Sequence, residues 1–250
     1  MTQNRRVPSN WQVWQESDVA VAFTKDRRSG ILGAQEQLAT LLHLLPKRED
    51  AADLRVLDMG CGDGILLATV LTRWTQAQGV ALDGSPTMLD LARQRFASYP
   101  TGQVQCVEKD FNEKDWHTAL PFDSYDAIIS GFAIHHSEDD RKQEIYADIF
   151  ALLRPGGVFV NTEHVASASP LGEELFEHAY AHSITLKRHE LGLGGTFEEA
   201  LKKIHTRLDK SANRLTPVET QLQWLRAIGF KDVDCYWKHY ELAVLAGYKP

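Results

Sequence analysis

The segment VLDMGCGDG, residues 56–64, places three glycines at alternating positions directly after a short apolar run and an acid. Glycine lets the backbone take unusual angles and lets a ligand approach without a Cβ in the way. A dinucleotide-binding turn has the spacing GxGxxG and holds a pyrophosphate at a helix N-terminus. Here the spacing is GxGxG, and Asp58 stands just upstream. A carboxylate there repels pyrophosphate but accepts a hydrogen bond from an ammonium group, so the turn predicts a nucleoside ligand with a cationic tail.

A second acid follows at the distance expected for a ribose contact. The run GVALDG reads as the next strand and delivers Asp83 about 20–25 residues beyond the glycines. In open α/β sheets, an acid at this place accepts hydrogen bonds from ribose hydroxyls. The glycine turn alone is a weak signal, because any tight turn can use glycines. The turn and Asp83 together predict a nucleoside-binding edge.

The elements that must position these residues alternate between strand and helix. Short apolar runs rich in Val, Ile and Leu predict buried strands: RVLDMG, GVALDG, VQCVEKD, YDAIISGF and GGVFVNTEH. Between them, ILLATVLTRW, SPTMLDLARQRFASY and RKQEIYADIFALL carry apolar residues at helical spacing. Ser85 followed by Pro86 is typical of a helix start, and RPGG at 154–157 of a helix stop before a strand. The alternation predicts an α/β fold with a doubly wound, mostly parallel sheet.

The two ends of the chain depart from this alternation. Residues 1–50 predict a helical N-terminal lid segment ahead of a main domain at 51–250, and a helical insert at about 167–215 interrupts the strands. The run TPVETQLQWLRAIGF predicts a capped helix that begins at Thr216 and Pro217 and ends at Gly229. The final runs KDVDCYWKHY and ELAVLAGYK predict paired strands, an antiparallel edge of the same sheet.

Composition limits the function classes. The chain has 250 residues, 43% hydrophobic and 24% charged, which suits a protein that buries a full core. The net charge of -7 argues against a surface built for nucleic-acid phosphates. No apolar run reaches membrane-spanning length, the N-terminus carries no signal-peptide pattern, and three scattered cysteines suit a reducing compartment. We therefore expect a cytoplasmic protein without a membrane partner.

From Arg55 to about Glu163, the sequence resembles the class I S-adenosylmethionine-dependent methyltransferases of the type 11/12 kind. VLDMGCGDG is similar to the first motif of that family, ALDGSPTML to the acidic loop after its second strand, and EKDFNE to its third-strand acid. YDAIISGFAIHHSED resembles the fourth-strand motif, and LLRPGGVFV the run into the fifth strand. The resemblance implies a Rossmann-like sheet of seven strands, with an antiparallel last strand, and S-adenosyl-L-methionine as cofactor.

The resemblance also implies a set of cofactor contacts. Asp58 would bind the ammonium group of the methionyl moiety, Asp83 the ribose hydroxyls and Asp110 the adenine amino group. Ser130 and Gly131 would supply backbone near the sulfonium. With Arg28 added from the N-terminal segment, the full predicted set is Arg28, Asp58, Gly60, Cys61, Gly62, Asp83, Gly84, Met88, Asp110, Phe111, Ser130 and Gly131.

Several members of this set have plainer alternatives. Met88 and Phe111 would pack on the adenine, or they belong to the core. Asp110 in KDFN reads equally as a turn acid. Arg28, in FTKDRRSG, is the candidate for a bidentate contact with the ligand carboxylate, and a solvated charge run is its alternative.

Two histidines are candidates for the chemistry. Methyl transfer from a sulfonium is an in-line displacement, and much of its acceleration can come from alignment of acceptor and methyl group with exclusion of water. A neutral amine or hydroxyl acceptor loses a proton, so a nearby base would help. IHHSEDD places His135 and His136 just past the fourth strand, where one of them is a candidate base or acceptor-positioning group. The alternative is that the pair caps a turn and orders the loop.

Glu163 and the insert are candidates for the acceptor side. Glu163 follows the fifth strand, where it would meet a cationic or hydroxylated substrate or serve as a rim residue. Tyr180 and Arg188 in the insert are candidate substrate contacts, against packing on the sheet or on a subunit partner. The adjacent histidines lack helical ligand spacing and no cysteine pair supports zinc, so no metal is expected. A monomer and a homodimer are both compatible with the sequence.

The leading interpretation is an S-adenosylmethionine-dependent methyltransferase that acts on a small molecule. The alternative enzyme is a carboxy-S-adenosylmethionine synthase of tRNA wobble modification. The insert and YWKHYELAVLAGYK resemble the ending of that family, whose first motif usually departs from the full GCGDG kept here. A non-catalytic S-adenosylmethionine-binding module is the alternative outside enzymes, and an NAD-dependent dehydrogenase is least favoured.

Overall fold

The computed structural model of the protein describes residues 30–46, 54–206 and 208–250, with residues 208 and 209 described without their side chains. The strands are β1 Arg55–Met59, β2 Gln78–Asp83, β3 Val104–Glu108, β4 Tyr125–Gly131, β5 Leu153–His164, β6 Lys231–His239 and β7 Leu242–Tyr248. They form one seven-stranded sheet in the order β3-β2-β1-β4-β5-β7-β6. β1 to β5 pair in parallel, and β7 runs antiparallel to both β5 and β6. The predicted fold class is confirmed.

Helices cover both faces of the sheet. They are α1 Ala34–Leu44, α2 Ile65–Arg73, α3 Pro86–Phe96, α4 Asp139–Leu152, α5 Pro170–Glu190, α6 Phe197–Thr206 and α7 Val218–Ile228. The apolar sides of α1, α2 and α3 form one core cluster with β1, β4 and β5. Those of α4 and α7 form a second cluster on the opposite face. Because both faces are covered, the central strands are buried almost throughout, as their continuous apolar runs predict.

The strand order reverses between β1 and β4. β1 pairs with β2 on one side and with β4 on the other, so the connections leave the sheet in opposite directions at this point. In open α/β sheets, ligands bind beyond the carboxyl ends of the strands at such a switch point. The glycine turn at 60–64 follows β1 directly and therefore lies at the switch point.

The helix boundaries agree with the sequence at α3 and differ in detail elsewhere. The Ser85 hydroxyl accepts the Met88 N–H, with Pro86 in the first turn. The predicted cap at Thr216 is wrong in its role, because α7 begins at Val218 without a side-chain cap. The Thr216 hydroxyl instead donates to the Asp139 carboxylate at 2.5 Å, which ties the start of α7 to α4.

The predicted stop at residues 154–157 is a bulge inside β5 rather than a turn ahead of it. α4 ends at Leu152 and β5 begins at the next residue. Leu153 pairs with Tyr125, and Val158 pairs with Ala127, so the residues between them loop out of the ladder. The strand resumes at Val158 and runs to His164 at the ligand-binding edge.

The region between β5 and α7 is helical. α5 and α6 pack against each other, and a short 3-10 turn, Leu208–Ala212, follows them. Their buried residues form a separate small cluster, which Phe132 from the end of β4 also joins. Among the described residues, no helix combines the length and the apolar character needed to cross a bilayer.

Candidate active site

The glycine turn follows β1 with its backbone in the left-handed region. The φ angles are 66° at Gly60, 55° at Gly62 and 78° at Gly64. A Cβ on Gly60 would lie 2.3 Å from the Cβ of Ala133, so glycine is needed there for protein packing. A Cβ on Gly62 would meet only the Met88 sulfur, at 4.0 Å. Gly62 is therefore the position that borders open space at the edge of the sheet.

Asp83 at the end of β2 holds this turn in place. The Gly62 N–H donates to Asp83 Oδ2 at 2.8 Å, and the Ser85 N–H donates to Oδ1 at 2.8 Å. Burial raises the pKa of Asp83 to about 6, although these two backbone donors oppose the shift. Each carboxylate oxygen has a second lone pair. The carboxylate can therefore accept hydrogen bonds from a diol and position the glycine turn at the same time.

Asp58 and Cys61 lie deeper than the rest of the turn. Asp58 is fully buried, and its Oδ2 accepts the Leu67 N–H at 3.1 Å in the first turns of α2. The Cys61 N–H donates to the Leu82 carbonyl of β2 at 2.9 Å. Burial raises the pKa of the Cys61 thiol well above its usual value, and the neighbouring Asp83 raises it further. The thiol is thus a neutral packing group, not a nucleophile.

The loop after β3 is held by three residues that the sequence did not point to: Asn112, Ser137 and Arg141. Asp110 Oδ1 accepts the backbone N–H of Asn112 at 2.8 Å, and burial raises the pKa of this carboxyl. Ser137 donates to the Asn112 side chain at 2.7 Å, and Arg141 donates to the Phe111 carbonyl at 2.7 Å. An acid followed two residues later by Asn is typical of an Asx turn, which was an available signal for Asn112.

The end of β4 contains a strained residue. The Ser130 hydroxyl donates to the Met59 carbonyl at 2.8 Å, so this side chain joins β4 to β1. Phe132 has a φ of 53°, an unusual angle for a bulky side chain, and its N–H donates to the Thr162 carbonyl at 2.8 Å. Such strain costs of order 1–3 kcal/mol and clusters at functional sites. The strained Phe132 borders the space beside Gly131.

A cavity of about 100 Å³ lies there, between the glycine turn and the N-terminal helix. Gly60, Gly131 and Phe132 line one side, and Gln37 and Leu38 of α1 line the other. We call it the glycine-turn cavity. The described part of the predicted N-terminal lid segment therefore closes one side of the nucleoside-binding edge.

His135 and Glu163 form a buried pair at the ends of β4 and β5. His135 Nδ1 lies 2.7 Å from Glu163 Oε1, and only 1% of Glu163 is exposed. Burial raises the pKa of Glu163, and the His164 N–H and the Asn161 side-chain amide, which both donate to it, oppose the shift. The His136 ring centroid lies 4.0 Å from that of His135. Glu163 is thus buried and engaged with His135, whereas the sequence left open a direct substrate contact or an ordinary rim position.

A second cavity, of about 280 Å³, lies beneath the helical insert. We call it the insert chamber; its lining includes His164, Phe176, Tyr180, Lys210 and Glu241. His164 Nε2 lies 2.8 Å from Glu241 Oε2, and both side chains are buried. Glu241 sits in the turn between β6 and β7, so no local sequence pattern connected it to His164.

Residues 56–157 match the model of a family described as a methyltransferase domain. The chain is 29% identical over 157 residues to a malonyl-[acyl-carrier protein] O-methyltransferase of Paenibacillus sp. (strain JDR-2), covering 62% of this chain and 55% of that protein. It is 21% identical over 217 residues to a carboxy-S-adenosyl-L-methionine synthase of Erwinia tasmaniensis, covering 85% of this chain and 82% of that protein.

Among solved structures, the fold is similar to Haemonchus contortus phosphoethanolamine N-methyltransferase 2 in complex with S-adenosyl-L-methionine. The TM-score is 0.65 at 15% identity, over 98% of this chain and 61% of that chain. The match to the methyltransferase domain covers about two fifths of the chain. Two solved structures with a similar fold, human N-acetylserotonin methyltransferase and the Haemonchus protein, are complexes with S-adenosyl-L-methionine. The chain spans little more than half the length of the malonyl-[acyl-carrier protein] relative.

The ends of β1 to β4 bring most of the predicted cofactor residues to one edge. Gly84 joins them beside Asp83, and Met88 lies in the first turn of α3, buried next to Gly62. The residues gathered at this edge are Asp58, Gly60, Cys61, Gly62, Asp83, Gly84, Met88, Asp110, Phe111, Ser130 and Gly131.

Of the predicted contacts Arg28 and Arg188, the structure describes only the second. Arg28 lies outside the described residues. Arg188 is far along α5, where its guanidinium donates to the Gly194 carbonyl at 2.9 Å and toward that of Leu193 at 3.4 Å. It closes the loop after α5 and does not line the insert chamber, whereas Tyr180 does. Within the described ranges, no group of three or more His, Cys, Asp or Glu side chains is arranged to hold a metal ion.

Proposed function

We propose that the protein transfers a methyl group from S-adenosyl-L-methionine to a small-molecule acceptor. The observation that carries this proposal is the buried His135–Glu163 pair, which lies at the ends of the two strands next to the glycine-turn cavity. A histidine oriented by a buried carboxylate is an arrangement suited to accept a proton. Its position beside the cofactor edge supports a role in the transfer itself.

The residues at the cofactor edge fit S-adenosyl-L-methionine. Asp83 has oxygen lone pairs for the ribose hydroxyls, and the open space at Gly62 admits a ligand against the main chain. We assign Asp58 to the ammonium group, Asp110 to the adenine amino group and Phe111 to the adenine face. When bound, the cofactor supplies an electrophilic methyl group on a sulfonium.

The chain's own residues then act on the acceptor. Nδ1 of His135 faces Glu163. We therefore assign the ring proton to Nδ1, which donates a hydrogen bond to the carboxylate, and the basic lone pair to Nε2. Nε2 takes the proton that a hydroxyl or amine acceptor loses as it is methylated. Glu163 holds the ring orientation and stabilises the imidazolium through its negative charge. His136, whose ring lies 4.0 Å from that of His135 and is tilted by 49° to it, is assigned a positioning role.

Two measurements on the purified protein test this proposal. Calorimetry with S-adenosyl-L-homocysteine should give saturable binding, and incubation of S-adenosyl-L-methionine with an amine and phenol library should release S-adenosyl-L-homocysteine. Cofactor binding with no transfer to any library member would favour the non-catalytic module instead. Absence of cofactor binding would contradict both interpretations.

A carboxy-S-adenosyl-L-methionine synthase is the second candidate function. The observation that favours it is coverage: the similarity to such synthases extends over 85% of this chain and 82% of the Erwinia protein. Incubation with S-adenosyl-L-methionine and prephenate, followed by mass spectrometry of the nucleoside, separates the two functions. A carboxylated nucleoside product would replace methyl transfer as the assignment.

Further features of the protein remain predictions. A cytoplasmic location, a monomeric or homodimeric state and the absence of a nucleic-acid partner are expected from the sequence. A division into a lid segment at 1–50, a main domain at 51–250 and an insert at 167–215 is likewise proposed, with α1 and α5 as its described helices at the two ends.

A further inference from the structure

The insert chamber has one flat apolar wall. Phe176 and Tyr180 stand one turn apart on α5, and their rings stack at 5.8 Å between centroids with 11° between planes. The His164 ring lies next to this pair, 5.3 Å from Phe176 between centroids, and is tilted by 46° to the Phe176 ring. Phe176, Tyr180 and His164 are each no more than 8% exposed. Aromatic faces aligned in this way favour a planar or apolar group of a ligand.

The remaining lining of the chamber combines Ile204, Asn213 and Leu215 with charged side chains, among which carboxylates predominate. Glu177 Oε1 lies 2.6 Å from Lys210 Nζ, and Glu173 Oε1 lies 3.5 Å from the same nitrogen. Burial acts to raise the pKa of Glu177, but the hydrogen bonds from Lys210 and His205 outweigh it and the pKa is lowered. Glu177 is therefore ionised at neutral pH, and Lys210 is already occupied by two carboxylates.

The charge balance of the lining is negative in every protonation state of its histidine. Three carboxylates, Glu173, Glu177 and Glu241, line the chamber together with one lysine, Lys210, and one histidine, His164. Whether or not His164 is protonated, the carboxylates outnumber the cations. A ligand anion would meet an excess of carboxylates over cations in this lining, although each carboxylate has a basic partner, whereas an ammonium group or a hydroxyl donor would meet acceptors.

The chamber adjoins the proposed base. The ring centroids of His135 and His164 are 5.6 Å apart, and Glu163 contacts both residues. Phe132 packs with the Phe176 and Tyr180 cluster on one side and lines the glycine-turn cavity on the other. Phe132 therefore links the insert cluster to the glycine-turn cavity, and His135 lies in ring contact with His164 of the chamber lining.

We propose that the insert chamber is the acceptor site and that it selects a planar or aromatic acceptor with a cationic or neutral hydrogen-bond-donating tail, against acceptors that carry a carboxylate or phosphate. This inference rests on the proposed methyl transfer, since it assigns the substrate class of that reaction. The Phe176 and Tyr180 faces hold the planar part, and the carboxylates of α5 and Glu241 bind the donor groups.

Three matched probes test the charge preference. Tyramine, tyrosol and 4-hydroxyphenylacetate share a phenol ring and differ in carrying a cationic, neutral or anionic tail. Calorimetry on the protein saturated with S-adenosyl-L-homocysteine should show tyramine binding about tenfold or more tightly than 4-hydroxyphenylacetate at low salt, with tyrosol between them. Added salt should narrow the difference.

A pair of variants on α5 localises the effect. Glu177→Gln removes one lining carboxylate and releases Lys210, so it should reduce the preference for tyramine over the acid several-fold. Glu174→Gln is the matched control, because Glu174 is an exposed residue of the same helix that does not line the chamber. The control should retain the wild-type preference and the wild-type affinity for S-adenosyl-L-homocysteine.

The outcomes separate the two proposals. Failure of S-adenosyl-L-homocysteine to bind overturns the proposed function. Normal binding of that nucleoside, combined with acid binding as tight as amine binding, overturns the substrate class and leaves methyl transfer standing. The substrate class is also overturned if tyramine shows no saturable binding, or if both variants change the preference equally.

Discussion

The cofactor edge and the insert chamber are built in different ways. At the cofactor edge, main-chain N–H groups and a few acids lie within short sequence segments that each follow one strand, such as Gly62 and Asp83. In the insert chamber, single side chains come from distant parts of the chain, such as Phe176 and Glu241. The contrast shows that a general cofactor site is encoded in local motifs, while the acceptor site depends on assembly of the whole chain.

The largest expected effect is on the rate of methyl transfer. It distinguishes the His135–Glu163 pair from the cofactor edge. His135→Asn should lower the rate of methyl transfer about 100-fold or more, because a general base contributes about 10²–10⁴-fold. Affinity for S-adenosyl-L-homocysteine should stay within about twofold of wild type, since His135 is assigned to the acceptor. Single-turnover release of S-adenosyl-L-homocysteine measures the first quantity and calorimetry the second.

Glu163→Gln belongs to the same test. Because Glu163 acts through His135, the double variant should be no slower than the worse single variant. His182→Asn, an exposed histidine on α5, is the control and should leave the rate unchanged. Additive losses from His135 and Glu163 would contradict their assignment as one unit.

The next effect lies entirely at the cofactor edge. Asp83→Asn should weaken S-adenosyl-L-methionine binding about 100-fold, since hydrogen bonds to a charged group are worth about 1.5–3 kcal/mol each and two ribose hydroxyls are involved. The change also weakens the bond that holds Gly62 in the turn. Calorimetry measures the affinity. Asp90→Asn, on the exposed side of α3, is the matched control; an unchanged affinity for Asp83→Asn would remove the ribose assignment.

A pH titration sharpens the role of Asp83. Its pKa is raised to about 6 by burial, and the ionised form is the one that accepts the ribose hydroxyls. Affinity for S-adenosyl-L-methionine should be full above about pH 7 and fall by up to about tenfold per unit below pH 6. The Asp83→Asn variant should have a flatter profile. A wild-type profile that stays flat between about pH 5 and 7 would contradict the assignment.

The raised pKa of Asp83 makes the stability of the cofactor-free protein fall as the pH rises, which is the opposite of its effect on cofactor affinity. Protonated Asp83 is favoured in the folded state relative to the unfolded chain, whose value is near 3.8. This contribution to the free energy of unfolding is present below about pH 4 and is lost as the pH rises through about 6. Asp83→Asn should therefore raise the melting temperature of the cofactor-free protein at pH above about 7, as thermal unfolding would show.

The smallest expected effect is on cofactor affinity and concerns Arg95, which contacts the glycine turn from α3. Arg95 of α3 donates to both the carboxylate and the backbone carbonyl of Asp63, the carboxylate at 2.5 Å. Arg95→Met should lower affinity for S-adenosyl-L-methionine by about three- to tenfold, a modest effect because the guanidinium is partly exposed. Arg93→Met, whose side chain pairs with Asp90 on the surface, is the control. Equal effects of the two variants would exclude a specific role for Arg95.

Sequence reasoning succeeded where the signal was local. The Gly60 to Gly64 turn follows β1 as expected, and Ser85 with Pro86 starts α3. The turn at Gly62 and the acid at Asp83 both lie at the ends of buried strands. Such strands are recognised in a sequence by their apolar runs. These positions depend on backbone geometry and on residues within a few places in the chain.

Sequence reasoning was less successful where a side chain could form its contact with either of two partners. Thr216 was expected to cap α7 but donates to Asp139, and Arg188 was expected at the substrate but binds the carbonyls of its own loop. Glu163 was expected to contact the substrate or to lie at the rim, and the structure pairs it with His135. In each case the side-chain type was compatible with both roles, and the choice followed from which partner the tertiary fold brought within hydrogen-bonding distance.

The sequence alone determined the alternating strands and helices, the glycine turn after the first strand and the acids that follow the second and third. Periodicity and glycine act over short range, so they are readable from neighbouring residues. Only the tertiary structure joined His164 to Glu241 and stacked Phe176 with Tyr180 in a chamber beside His135. Those contacts depend on strand order and on how the insert packs, and neither is written in any single segment of the chain.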